Sequence, residues 1–257
     1  MKEYLDEILL AAVDMARQAG QIHLRHFRSG HLGVEVKKNE ADIVTIADKE
    51  SERVILDAIH RLYPGHAILS EESGDDGTTA DFQWVVDPLD GTTNYTAGLP
   101  VFSVSIGVKY RGERVVGVVY DAYTDELFTA VRGEGAMLNG RPIHVRDNDR
   151  LERAVVSMGF PVDKKTNSDN NSANFLRVLP ETRAMRRIGS AAIDLCYVAA
   201  GFLDAYVEFA LHEWDVCAGL LILEEAGGRY KDFHPSRPIA VLAASAAIFP
   251  KIEPLVR

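Results

Sequence analysis

The chain has 257 residues, 47% of them hydrophobic, with 28 Lys and Arg against 38 Asp and Glu, a formal net charge of −10 at pH 7. That apolar fraction closes an ordinary globular core and is unlike disordered or collagenous sequence. The acidic balance argues against a nucleic-acid binder, whose affinity rests on a basic surface, but leaves open an enzyme for a phosphorylated substrate if a bound cation reverses the local field.

Leu5, Ile8, Leu9, Ala12, Met15, Ala16 and Ala19 recur at three- and four-residue steps, so the chain opens on an amphipathic helix. Asp6, Glu7, Asp14 and Arg17 interrupt this stretch, which therefore lacks the apolar centre of a secretory signal; the expected location is the cytoplasm. Residues 34–38 alternate like a short strand. Val54, Ile55, Ala58, Ile59 and Leu62 mark a second helix, stopped by Tyr63-Pro64-Gly65. Ala67-Ile68-Leu69 and Trp84-Val85-Val86 are apolar runs of strand length, each leading into carboxylates. Over residues 102–145, β-branched runs punctuated by Arg111-Gly112, Arg132-Gly133 and Asn139-Gly140 predict an antiparallel meander.

Residues 163–174 are polar and predict a loop, then a helix ending near Pro180. Helices are expected over residues 190–201 and 214–226, with a strand at 205–209 between them and closing strands at 229–233 and 239–245. No uncharged run approaches the roughly 20 residues that cross a bilayer, so no membrane association is expected. Cys196 and Cys217 fall in no metal-ligand or disulfide spacing and are expected to be buried apolar fillers. No Pro/Ser/Gly-rich linker divides the chain. One α/β domain of helices layered on sheets is expected over residues 1–257, as two packed halves meeting near 145–150.

The densest chemical signal is Asp87-Pro88-Leu89-Asp90-Gly91-Thr92-Thr93-Asn94, directly after the Trp84-Val85-Val86 run. Two carboxylates three residues apart at a strand end suit a hard cation such as Mg²⁺, which prefers oxygen ligands. Gly91 lets the backbone approach a ligand, and the N–H groups of Gly91, Thr92 and Thr93 open a helix toward an anion. The competing reading is a polar turn whose Asp and Thr cap a helix. Glu71 and Glu72 follow Ile68-Leu69, Asp48 ends the run from Asp42, and Asp215 follows Trp214 at a helix start. Singly, each reads as a loop or cap residue. Together, four segments bring acids to strand ends and helix starts, which is what a site with two or more metals requires.

With these segments in place, the chain resembles the inositol monophosphatase family of Mg²⁺-dependent, lithium-sensitive phosphatases. One signature is Trp84-Val85-Val86-Asp87-Pro88-Leu89-Asp90-Gly91-Thr92-Thr93-Asn94-Tyr95; the other is Trp214-Asp215-Val216-Cys217-Ala218-Gly219 running on to Glu225-Ala226-Gly227-Gly228. Residues 42–48, Ser70-Glu71-Glu72-Ser73 and Arg187-Ile188-Gly189-Ser190-Ala191-Ala192 occur in the family's order. The resemblance implies a layered αβαβα sandwich with the metals between its halves. It implies that Glu71, Asp87 and the Leu89 carbonyl hold one Mg²⁺, that Asp87, Asp90 and Asp215 hold a second, and that a weaker third leans on Glu71 and water. Asp48 and Thr92 would orient the attacking water, which Glu71 helps to activate.

By the same resemblance, Gly91 and Thr92 donate backbone hydrogen bonds to the phosphate, while Gly189, Ser190, Ala191 and Glu208 meet the polyol hydroxyls. With Leu89, Asp90 and Asp215 these form the substrate-contacting set. The implied chemistry is in-line attack by metal-activated water without a covalent phosphoenzyme. The implied substrate is myo-inositol monophosphate and the implied assembly a homodimer. Fructose 1,6-bisphosphate, histidinol phosphate and a 3′-phosphonucleotide stay open, although Thr93-Asn94 and Glu208 favour the inositol branch. A noncatalytic metal-dependent interaction protein is the reading of another class; Asp48, Glu71 and Thr92 argue against it. Leu89 and Tyr95 depart from the commoner Ile and Phe, the first offering its carbonyl and the second expected to pack. Glu213 is expected as an exposed helix-start acid and His212 as structural or exposed. Lys37 and Lys38 either pair with a carboxylate or phosphate or form a solvated strand edge.

Overall fold

In the computed structural model, which describes residues 1–40, 42–234 and 237–257, the opening helix is α1 (Lys2–His26). It buries Leu5, Ile8, Ala12, Met15, Ala16 and Ala19 along one face, as their spacing predicts. The strand expected at 34–38 shortens to β1 (Glu35–Val36), exposed at both residues and paired antiparallel with β2 (Ile43–Val44). A ribbon with so little apolar surface to bury has not much beyond its own ladder to lengthen it. Helix α2 (Ile46–Leu62) begins well before the apolar positions that mark it, because Thr45 caps its first turn and the Asp48 carboxylate accepts from Thr45 N–H in return. Its buried stripe runs Asp48, Glu52, Ile55 and Ile59. Leu62 ends the helix at the end of that spacing and is 49% exposed in its last turn.

Strands β3 (Ala67–Ser70), β4 (Gly74–Asp75) and β5 (Phe82–Asp90) follow, with β5 continuing through both carboxylates of the motif. The short helix α3 (Thr92–Thr96) turns off Gly91. The meander comprises β6 (Ser103–Tyr110), β7 (Glu113–Asp121), β8 (Glu126–Val131), β9 (Ala136–Leu138) and β10 (Arg141–Ile143). All three predicted turns are present, and a fourth joins β7 to β8. The eight-stranded sheet has the order β10-β9-β8-β7-β6-β5-β3-β4, with β3 and β5 its one parallel pair.

The second sheet begins with β11 (Val155–Met158), which sequence reasoning passed over. After it come α4 (Ser172–Val178), a 3₁₀ turn to Glu181 that agrees with a helix ending near Pro180, and β12 (Ala184–Arg186). The chain closes with α5 (Ala191–Ala199), β13 (Ala205–Leu211), α6 (Glu213–Glu225), β14 (Gly228–Asp232), β15 (Ile239–Ser245) and α7 (Phe249–Ile252). The strand order is β12-β11-β13-β15-β14.

Period-two alternation sorts the strands' side chains into separate cores. Along β7, Val116, Val118 and Tyr120 face α1 and α2, while Val119 faces α5 and α6. Helices α5 and α6 are apolar nearly all round because they lie between the two sheets, touching Val119 and Phe128 on one side and Tyr206, Val241 and Ala243 on the other. Val178, Phe249 and Ile252 of α4 and α7 close the outer face of the small sheet. The layers therefore run αβαβα, as expected. Gly107 and Gly117 let α6 lie directly on the large sheet: a Cβ at Gly107 would stand 2.4 Å from Cys217 Sγ, and one at Gly117 2.7 Å from the Ala218 carbonyl oxygen. Both cysteines are buried, as expected. Among the described residues, no helix is long and apolar enough to cross a membrane.

Candidate active site

The site grows from the buried end of β5. Trp84, Val85 and Val86 are fully buried, and the strand carries Asp87, Leu89 and Asp90 onward past a register shift against β6. Parallel pairing sets Ser70 of β3 beside Val86, and Glu71 N–H then donates to the Val86 carbonyl at 3.1 Å. Glu71 is thus delivered next to Asp87. The turn that carries it is built around Glu52 of α2, which accepts from the Ser70 hydroxyl at 2.5 Å, from Ser73 Oγ at 2.6 Å and from the Glu72 and Ser73 N–H groups at 3.2 and 3.1 Å. Glu52 was not foreseen; its signal is an acid on the otherwise core-facing stripe of α2.

Asp48 Oδ2 is held by Thr45, through N–H at 2.8 Å and Oγ1 at 2.5 Å. The Thr92 hydroxyl lies 3.2 Å from Asp48 Oδ1 and 3.0 Å from the Leu89 carbonyl oxygen, so its single proton serves one or the other. The backbone at Gly91 has φ +90°, and a Cβ there would approach the Val101 carbonyl oxygen at 3.0 Å, which favours glycine on both counts. Asp90 Oδ2 accepts from Ser190 Oγ at 2.5 Å and from Ala192 N–H at 2.8 Å. Asp215, in the first turn of α6, accepts from His212 N–H at 2.6 Å.

Two adjoining hollows make one cleft over these groups. One, of about 380 Å³, is bordered by Glu71, Asp90, Gly189, Ala191, Glu208 and Asp215, with Lys37, Lys38 and Arg187 adding positive charge. The other, of about 420 Å³, is bordered by Glu71, Gly91, Thr92, Thr93, Asn94 and Gly189. Asp87 and Leu89 lie buried behind them. Ser190 is buried too, its hydroxyl committed to Asp90 and to the N–H of Ile193. Its link to the acids of the cleft runs through Asp90. Glu208 accepts from Tyr206 Oη at 2.5 Å, and its carboxyl fills the space a Cβ of Gly159 would need. Asn94, the last residue of the octapeptide, ties α3 to the loop before α5 by donating to the Ile188 carbonyl at 2.8 Å.

Lys37 is paired: its ammonium stands 2.9 Å from Glu71 and 2.6 Å from Glu72. Glu213 is a correction. It is only 23% exposed, with Lys109 at 2.6 Å and Arg114 at 3.7 Å, because the first turn of α6 rests over β6 and β7. His212 is half exposed and stacks on Trp214.

Crowding the acids raises their proton affinity. Burial lifts Asp48 to about 6 against the opposing bonds from Thr45, and lifts Asp90 to about 6 against that from Ser190. Burial brings Glu71 to about 7, with Lys37 working the other way and Asp215 and Asp48 adding repulsion. Asp87 is raised well above the carboxylate range by burial and then by Glu71, Asp90 and Asp215. Burial brings Glu208 to about 7 despite the Arg187 charge. Lys37 is disfavoured by burial, yet the Glu71 and Glu72 charges outweigh this and raise it.

The acids surround the cleft without forming a closed cage: among the described residues, no three His, Cys, Asp or Glu side chains are gathered as a metal-holding group. The donor set nonetheless suits a hard divalent cation, being all oxygen, mutually repelling and relieved by added positive charge.

The inositol monophosphatase family model matches residues 4–252. The chain is 41% identical over 249 residues to the protein named Nus factor SuhB of Pasteurella multocida, covering 96% of this chain and 93% of that one. Among solved structures, an inositol monophosphatase from Anabaena superimposes with TM-score 0.87 at 39% identity, covering 98% of this chain and 96% of the other. The extragenic suppressor protein suhB of Bartonella henselae superimposes with TM-score 0.89 at 35% identity, over 97% and 98% of the two chains.

Proposed function

Because the chain belongs to the inositol monophosphatase family, we propose that it hydrolyses a small phosphate monoester, with myo-inositol monophosphate as substrate and two to three Mg²⁺ ions as cofactors. The observation that carries this is the convergence of Glu71, Asp90 and Asp215 on one cleft whose wall also holds Thr92, bonded toward buried Asp48. In this reading Glu71, Asp87 and the Leu89 carbonyl would hold one ion, and Asp87, Asp90 and Asp215 another. Bound Mg²⁺ would supply positive charge for the phosphate and for the leaving oxygen and would acidify the attacking water.

The remaining work falls to the chain's own groups. Thr92 and Asp48 take the water's proton side: Thr92 Oγ1 can accept from water while donating to Asp48 Oδ1, fixing the water's direction. With a proton affinity near 6, Asp48 is charged at neutral pH yet basic enough to share that proton. The N–H groups of Gly91 and Thr92 are offered to the phosphate, and Lys37, Lys38 and Arg187 make the cleft rim attractive to an anion. Glu208, Gly189 and Ala191 face the polyol.

Phosphate release is to be measured with inositol phosphates, fructose 1,6-bisphosphate, histidinol phosphate and a 3′-phosphonucleotide in Mg²⁺, with Li⁺ added to test for inhibition. Asp90→Asn and Glu71→Gln are expected to abolish release while the far-ultraviolet spectrum stays that of the wild type. Undiminished turnover in both variants would sink the site assignment. The word "factor" in the name of the Pasteurella relative favours a second reading, an interaction protein that retains the fold. That reading gains if no phosphate ester is turned over by wild-type protein that binds Mg²⁺. A homodimer is proposed on the family resemblance, for sedimentation to test.

A further inference from the structure

His23, on α1, is fully buried, and its Nε2 lies 2.9 Å from the Pro88 carbonyl oxygen. A carbonyl only accepts, so the ring carries its proton on Nε2 and donates it there. The other ring nitrogen, Nδ1, is buried without a hydrogen-bond partner. Tyr95 Oη donates to the backbone carbonyl of His23 at 2.7 Å, and the imidazole packs edge-on to Tyr95 and Phe102. In this aromatic nest an imidazole with one bare nitrogen is a poor filler compared with a leucine, since burying an unpaired polar atom is unfavourable. The hydrogen bond to Pro88 is what the histidine adds.

Pro88 stands between Asp87 and Leu89, where β5 shifts register against β6, so the carbonyl directions there are set by local partners and not by a regular ladder. The Pro88 carbonyl meets His23 of α1, and the next carbonyl, that of Leu89, meets Thr92 Oγ1 at 3.0 Å, so fixing the first limits the swing of the peptide that leads to the second. We propose that His23, with its backbone fixed by Tyr95, is a positioning residue for the Asp87-Pro88-Leu89 turn and sets the direction in which the Leu89 carbonyl is offered to a divalent cation. This rests on the metal assignment proposed above. Burial also lowers His23 to about 4, so the ring stays neutral and the orientation holds across the working range of pH.

The test is Mg²⁺ binding by calorimetry to wild type, His23→Leu, His23→Gln and Tyr95→Phe, with melting of each in EDTA. Loss of one hydrogen bond predicts affinity about tenfold weaker in His23→Leu, and recovery to within about threefold in His23→Gln, whose amide N–H can reach the same carbonyl. Tyr95→Phe keeps the imidazole and loosens its mounting, so its affinity is expected to fall about threefold; it carries the comparison should His23→Leu not fold. Lower melting temperatures with unchanged affinity in every folded variant would show a structural role only and overturn the inference. Wild-type protein that takes up no Mg²⁺ overturns the metal site and this inference with it. Wild-type binding matched by all folded variants overturns the positioning role alone.

Discussion

Gly159 shows how one residue's lack of a side chain shapes the cleft. A Cβ there would fall 1.7 to 2.2 Å from the Glu208 carboxyl atoms, while the Gly159 backbone is pinned to the Val207 carbonyl at 3.0 Å and to Asn171 Nδ2 at 2.8 Å. In Gly159→Ala it is therefore Glu208 that must swing away. The expected stability cost is about 1–3 kcal/mol, since a flexible side chain gives way more easily than backbone. KM for an inositol phosphate should rise about tenfold, while KM for p-nitrophenyl phosphate, which has no hydroxyl for Glu208, should not change. Equal rises for both esters would remove Glu208 from polyol recognition. At this scale the sequence marks Asp87, Asp90, Glu71 and Asp215 because acids gathered at the ends of apolar strands or the start of an apolar helix stand out. His23, Glu52 and Gly159 pass unnoticed because their partners lie far along the chain, as with His23 and Pro88, 65 positions apart. The clue for His23 and Glu52 is a polar side chain on the buried stripe of a helix.

Helix α6 links the two sheets and also presents Asp215, so its height above the large sheet controls the site. Gly117 sets that height: a Cβ would meet the backbone of Ala218 at 2.7 to 3.3 Å, and backbone cannot rotate aside. Gly117→Ala is expected to cost about 2–3 kcal/mol by overpacking, which lowers the melting temperature of a chain this size by about 5–10 °C. Activity should fall with it, because lifting α6 moves Asp215 relative to β5. Calorimetric melting and turnover together check this, and a variant with wild-type melting would mean that the helix rides higher on its sheet without strain. Elements with strong periodicity or turn residues are legible in the sequence, as α1 and the meander show. Strand β11 is not: four residues without a flanking hairpin turn carry no period that separates strand from helix, and its partners β12 and β13 lie far along the chain. The reach of β5 through Asp90 is hidden likewise, since Pro88 reads as a strand end and only the bulge against β6 accommodates it.

At the scale of the whole molecule, the net charge of −10 is unevenly distributed. Several of the negative groups are gathered at one cleft between layers that share α5 and α6, which is also why we read the two sheets as one domain. That concentration makes the fold's stability depend on pH in a definite direction. Asp48 and Asp90 rise from 3.8 to about 6, and Glu71 and Glu208 from 4.5 to about 7. A raised carboxyl favours the folded protein when protonated, so its contribution is full below the unfolded value and is lost as pH climbs through the folded one. Between about pH 4 and pH 7, these four groups therefore work against the metal-free fold progressively more. Glu71 and Asp90 are also expected ligands, and a divalent cation binds them in their charged form, so its stabilisation should grow over that interval as fewer protons have to be displaced. The rise in melting temperature on adding millimolar Mg²⁺ in place of EDTA is expected to be at least about twice as large near pH 8 as near pH 5. In Asp90→Asn, which removes one of the four titrating groups and one of the expected ligands, both the rise and its pH dependence should shrink. An equal rise at the two pH values in the wild type would mean that the cation is bound somewhere other than these carboxylates.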